Sequence, residues 1–225
     1  MSELLHVLEN EVQIAALSFL LIVYVLRILW LYRFKSSKER TYPAGNAKVA
    51  IGYSLLNVAM PWSMESARRK LFFYAQFVLF HLGVAAAIGA TFILPYWPNL
   101  FKIRVILWSF RIIVAAAFFV GLIRLSRRLT NPAMRLISSL DDYFSLVLLI
   151  LYFAVAFMAL PNNYQESEWP LMLFFALTAF FLLYVPFSKI GHYLYYPFTR
   201  FFLGRTMGHR GVYAKKKENR AIDRI

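Results

Sequence analysis

Two of the four histidines stand where imidazole chemistry would be out of the ordinary. His81 follows Phe77-Val78-Leu79-Phe80 and precedes Leu82-Gly83-Val84-Ala85-Ala86-Ala87-Ile88-Gly89, so its surroundings are apolar on both sides. A polar ring there is costly unless something ligates it or hydrogen-bonds it. Two readings are open: a functional group of the membrane interior, or a side chain bonded to a neighbouring helix, with Gly83 and Ala87 serving small-residue packing. His192 ends Val185-Pro186-Phe187-Ser188-Lys189-Ile190-Gly191-His192 and is followed by Tyr193-Leu194-Tyr195-Tyr196-Pro197. His6 and His209 lie near the two ends of the chain, away from this pair. Cysteine is absent, which excludes disulfides, thiolate metal sites, cysteine-held iron–sulfur clusters and thioether-attached haem. No nucleophile–base–orienter triad, phosphate loop, zinc spacing or paired-acid constellation is present. Asp141-Asp142 reads as a charge pair favourable to a helix N-terminus.

The elements that must position these histidines are membrane spans. Hydrophobic residues make up 60% of the 225-residue chain and aromatics 18%, with a mean hydropathy of +0.57. That exceeds what an aqueous domain usually carries. A bilayer core of ~30 Å calls for ~20 mostly apolar residues, because a helix satisfies its backbone polar groups without water. Five segments meet this: Ile14 to Leu31, Leu71 to Leu94, Ile103 to Ile123, Tyr143 to Leu160 and Leu171 to Tyr184. Phe187, Ile190, Tyr193 and Leu194 extend the last apolar face past Pro186, which predicts a tolerated proline kink. Glu3, Glu9 and Glu11 stand where a signal peptide would be basic, so the first span is expected to be retained.

The net charge of +14 would suggest nucleic acid in an aqueous protein. Its distribution reports topology instead. Arg33, Lys35, Lys38, Arg40, Lys48, Arg68, Arg69 and Lys70 separate spans one and two, Arg124, Arg127, Arg128 and Arg135 follow span three, and more follow Pro186. The opposite side has Lys102 and Arg104 beside the acidic N-terminus and the loop Asn162 to Glu168. The positive-inside rule therefore predicts an N-terminus outside and a C-terminus in the cytoplasm. Trp30, Tyr32, Tyr96, Trp97, Trp169, Tyr195 and Tyr196 fall at span ends as an interfacial belt. The expected architecture is an all-α bundle of five transmembrane helices in residues 1–212, with a basic cytoplasmic tail over 213–225. Membrane lipid, rather than nucleic acid, is the partner of that tail. Val49 to Trp62 is a candidate interfacial amphipathic helix.

Two arginines lie inside apolar spans. Arg27 either meets an anionic cofactor group such as a haem propionate or snorkels to the inner interface. Arg111, in the outer half of span three, faces a quinone pocket, an oriented lipid or a partner subunit.

The Pro-Phe-Ser-Lys-x-x-His run over 186–192 resembles the end of the last span in the gamma subunit of respiratory nitrate reductase, a five-span cytochrome b. Phe80-His81-Leu82-Gly83 looks like that family's first ligand motif in its second span. The resemblance implies His81 and His192 as axial ligands of a haem b near the cytoplasm. The chain departs from the family at the second pair, where Thr91 and Phe174 stand. It therefore resembles a monohaem form, with one bis-histidine haem and no outer one. That implies a six-coordinate iron suited to electron transfer, in a subunit that is not itself catalytic.

Within the family the chain looks most like the cytochrome b subunits of sulfate-reducer transmembrane redox complexes. This implies a hetero-oligomer in the bacterial inner membrane, with a cytoplasmic iron–sulfur protein and a periplasmic multihaem cytochrome c as partners. Electrons would pass between these and, where one binds, a membrane quinone. The alternative is a non-redox anchor or scaffold with structural histidines. Transport is disfavoured, since neither matched discontinuous helices nor a buried acid pair is present.

Overall fold

The computed structural model describes residues 2–34, 39–60, 62 and 68–213. Lys35, Lys38 and the basic tail after Tyr213 lie outside these residues. The described chain is helical, with no strand. Five helices are long and apolar enough to cross a membrane. In chain order the helices are α1 (Glu3–Glu9), α2 (Glu11–Arg33), α3 (Ala47–Leu56), α4 (Leu71–Tyr96), α5 (Arg104–Thr130), α6 (Pro132–Ile137), α7 (Leu140–Ala159), α8 (Trp169–Tyr184) and α9 (His192–His209). The chain divides into two compact units, one of residues 1–29 and 72–191, the other of residues 30–71 and 192–225.

The first unit holds the membrane-length helices. Helix α7 is its central post, with half of its most apolar window buried against 6% for the N-terminal span. Phe153 and Ala156 of α7 are fully buried. Helices α4 and α5 meet through small residues, because a Cβ placed on Gly83 would overlap Ala117 Cβ. With no hydrophobic drive between helices in lipid, such close approach is what gives dispersion its grip. The N-terminal segment is tied to α8 at two levels. The Ser2 amide donates to Glu168 Oε1 at 2.7 Å, and the buried Gln13 Nε2 donates to the Phe175 carbonyl at 2.8 Å. Hydrogen bonding from Ser2 holds the Glu168 carboxyl below the usual carboxylate range.

The expected kink at Pro186 is a full break. Helix α8 stops at Tyr184, and two 3-10 turns, Val185–Phe187 and Lys189–Gly191, follow. Pro186 has no N–H to continue the ladder, and Ser188 is extended at φ −104°, ψ 170°. Asp141, at the start of α7, supplies what the broken ladder lacks. Its Oδ2 accepts the Lys189 amide at 3.0 Å, and its Oδ1 accepts the Tyr184 hydroxyl. Lys189 Nζ donates to Asp142 Oδ2 at 2.7 Å and to Ser139 Oγ at 2.8 Å. The Asp141-Asp142 pair thus serves the α7 N-terminus, as its sequence position suggests, and also clamps the Phe-Ser-Lys segment.

The second unit pairs loop one with the end of the chain. Helix α3 packs along α9 through Gly204 and Gly208, four residues apart on one face. A Cβ on Gly204 would lie 2.6 Å from Ile51 Cα and 2.7 Å from the Ala50 carbonyl oxygen, so the backbones touch. Around this contact the Ala44 amide donates to the His209 carbonyl at 2.8 Å, His209 Nε2 donates to the Thr41 carbonyl at 2.7 Å, and Arg210 Nε donates to Glu39 Oε2 at 3.0 Å. Partial desolvation pushes the Glu39 carboxyl up, but hydrogen bonds from Thr41 and Arg210 outweigh it and leave the group below its usual range.

The stretch expected from Val49 is helical, but its polar and apolar residues are not sorted onto opposite faces, so it is not the amphipathic helix expected there. Ala50, Ser54 and Asn57 are buried, while Val49 and Leu56 are 59% and 61% exposed. Between α3 and α9 the chain runs through the five membrane-length helices less the first, that is four. An even number of crossings returns it to the same side, as the pairing demands. Replacing Gly204 by leucine is expected to force α9 off α3, at a cost of about 1–3 kcal/mol. Amide hydrogen exchange in α3 should then quicken by about tenfold or more; unchanged exchange would contradict the contact.

Candidate functional site

His81 sits ten residues into α4, about 15 Å from its first residue. Its ring is exposed. The Nδ1 atom lies 2.7 Å from the Phe77 carbonyl oxygen, and a carbonyl can only accept. Nδ1 therefore donates in this bond. Phe77 and Phe80 flank the imidazole, with ring centroids at 4.2 and 6.2 Å. A hydrogen bond from one ring nitrogen to a backbone carbonyl fixes the ring's orientation, as such a bond does for metal-ligating imidazoles.

His192 is the first residue of α9 and is exposed. It belongs to the second unit and His81 to the first, so neither unit by itself contains both. Arg27 is half-buried in α2, with its guanidinium 5.5 Å from the centroid of the Phe187 ring. That ring belongs to the Pro-Phe-Ser-Lys run, so Arg27 packs on the segment that leads to His192.

Thr91 and Phe174 have a common neighbour. Tyr152 of α7 stacks on Phe174 with centroids 5.4 Å apart and planes 3° from parallel. Its hydroxyl lies 3.3 Å from Thr91 Oγ1 and 3.0 Å from Thr178 Oγ1. The two threonines also donate to the carbonyls of Ala87 and Phe174, one turn back on their own helices. Three hydroxyl protons thus serve four contacts, of which the two to Tyr152 link α4, α7 and α8. Tyr152 fills the space between the two positions.

The sequence did not single out the cations nearest the His81 helix. Helix α5 continues beyond Ile123 to Thr130, so Arg124 and Arg127 are helical rather than loop residues. Arg124 lies 4.9 Å over the Phe80 ring and Arg127 4.3 Å over Phe73. The signal was present as two matched spacings, Phe73-Phe77-Phe80 on one helix and Arg124-Arg127 on the other, each at the three-to-four-residue repeat of a helix face.

A cleft of about 840 Å³ opens elsewhere, at the Tyr96 end of the bundle, lined by polar side chains including His6, Glu9, Asn99, Lys102 and Glu166. It lies at the far end of α4 from the His81 turn. Among the described residues no group of three or more His, Cys, Asp or Glu side chains could hold a metal ion.

These features define the class: an all-α protein with five helices of membrane-crossing length and a helical hairpin built from loop one and the C-terminal helix. No family model, curated protein or solved structure matches the chain.

Proposed function

We propose that this chain is the haem b-binding membrane subunit of a respiratory electron-transfer complex in a bacterial inner membrane. The observation that carries the proposal is the orientation of His81, whose Nδ1–H is held by the Phe77 carbonyl one turn back on α4. Resemblance assigns the second axial nitrogen to His192. A haem with two imidazole ligands supplies one-electron transfer with no coordination position open to oxygen. The chain's own residues would bind and orient it. His81 would hold it on α4, and Arg124 and Arg127 of the neighbouring helix would offer guanidinium groups to its carboxylates. Arg27 remains a further candidate for that role, from α2.

Electrons would be exchanged with a cytoplasmic iron–sulfur protein, and with a periplasmic multihaem cytochrome c or a membrane quinone. Tyr152, packed between Thr91 and Phe174, supports a single haem per chain.

The test is a reduced-minus-oxidised spectrum of the purified protein with haem counted per chain, repeated on His192→Ala. One b-type haem per chain is expected, lost in the variant. Two haems per chain would overturn the single-site assignment, and full haem content in His192→Ala would remove that residue as a ligand. Protein of intact helicity with no haem absorption would establish the anchor or scaffold reading.

A further inference from the structure

Arg111 lies seven residues into α5, about 10 Å from the helix start, among apolar neighbours. It is half-buried, and its Nε is fully buried with no hydrogen-bond partner. Aromatic rings flank the guanidinium, Phe157 of α7 at 4.1 Å and Trp108 at 5.0 Å. Among the described residues no carboxylate lies within 4.0 Å of it. Rings satisfy the face of a guanidinium but none of the N–H groups around its edge. A cation at this depth is costly until those donors find anionic oxygens.

We infer that Arg111 binds the phosphodiester of an anionic phospholipid in the leaflet at the α5 N-terminus. Side chains on a helix lean toward its N-terminus, and the contact with Trp108, one turn back, shows Arg111 doing so. The charged head therefore reaches about one turn from the helix end, where lipid phosphates lie. The residues around it on the same helix are apolar and outward: Val105 is 75% exposed, Trp108 48% and Ile112 63%. Acyl chains, rather than an acidic protein surface, match that lining. Lys102 and Arg104 are exposed at the same end, before and at the helix start, and add positive potential at the headgroup level.

Delipidated full-length protein in neutral detergent, titrated with phosphatidylglycerol and read by native mass spectrometry, tests this. The wild-type chain should retain one tightly held phosphatidylglycerol in preference to phosphatidylcholine. Arg111→Gln should weaken it by about tenfold or more, the value of a lost charge-assisted hydrogen-bond pair. Arg111→Lys should recover part of the loss, and Arg104→Gln should lose much less than Arg111→Gln. Thermal unfolding with and without the lipid gives a second readout, with a stabilising shift in wild type that Arg111→Gln lacks. Equal phosphatidylglycerol binding by wild type and Arg111→Gln would overturn the inference, as would equal retention of phosphatidylcholine. Inorganic phosphate at millimolar concentration should not compete; if it displaces the lipid, the site takes phosphate from water and the lipid assignment fails.

Discussion

The His81→Ala chain is expected to enter the membrane folded and to contain no haem. The side chain is exposed, and its Nδ1 hydrogen bond runs to the Phe77 carbonyl of its own helix, four residues back. Removing it opens no buried cavity, so thermal unfolding of the haem-free protein should move by no more than about 1 kcal/mol. The same change deletes the one imidazole nitrogen that α4 presents, so the b-type absorption should disappear. Gly83→Leu gives the opposite pattern. Two residues further along the helix, it drives a side chain into Ala117, and folding and haem should be lost together. A His81→Gly chain supplied with imidazole separates a ligand from a structural histidine, because a free ligand restores iron coordination but not a covalently tethered packing contact. Undiminished haem in His81→Ala would end the assignment.

Tyr152→Ala is expected to be among the most damaging single changes in the first unit. The side chain is 4% exposed, and its loss leaves a void facing Phe174, Phe181 and the two threonines. Truncations of buried aromatic residues cost about 3–5 kcal/mol. Tyr152→Phe should cost only about 0.6 kcal/mol and no more than about 1.7 kcal/mol, the average and the maximum for hydrogen bonds between membrane helices. The difference follows from the proton count. Thr91 and Thr178 already donate to carbonyls on their own helices, so removing the phenol oxygen leaves neither threonine proton stranded. Unfolding in mixed micelles, followed by circular dichroism, measures both. Similar losses in the two variants would mean that the hydroxyl, not the ring, holds the three helices together.

The membrane-length helices were legible because hydropathy alone decides them. Span two, expected from Leu71 to Leu94, is the helix Leu71–Tyr96, and span four, expected from Tyr143 to Leu160, lies within one turn of Leu140–Ala159. Span three was ended too soon. Hydropathy drops at Arg124, but the helix continues because the arginines lie against phenylalanine faces of α4, and a window over one segment cannot see a ring on another. The break after Tyr184 was hidden for a similar reason. Pro186 announces a disturbance, but whether it kinks or ends the helix depends on Asp141, 48 residues away from Lys189.

In the candidate site, the residue types at His81 and His192 were visible, and the Nδ1 bond that orients His81 needed coordinates. Loop one gave the least warning. Its partner helix is recognised through Gly204 and Gly208, whose contribution is the absence of a side chain, and no apolar period marks such a surface.

That hairpin also carries a consequence for how the protein is made. Asn57 and the Tyr213 hydroxyl to which it donates are separated by 156 residues, so α3 is synthesised well before its partner exists. At ordinary translation rates of about 5–20 residues per second, α3 waits on the order of ten to thirty seconds. During that interval four further helices must enter the bilayer in the right order. Closure of the hairpin therefore cannot precede the synthesis of α9. A chain that had inserted one helix too few would present α9 on the wrong side of the membrane, leaving α3 open as a mark by which an unfinished molecule differs from a finished one.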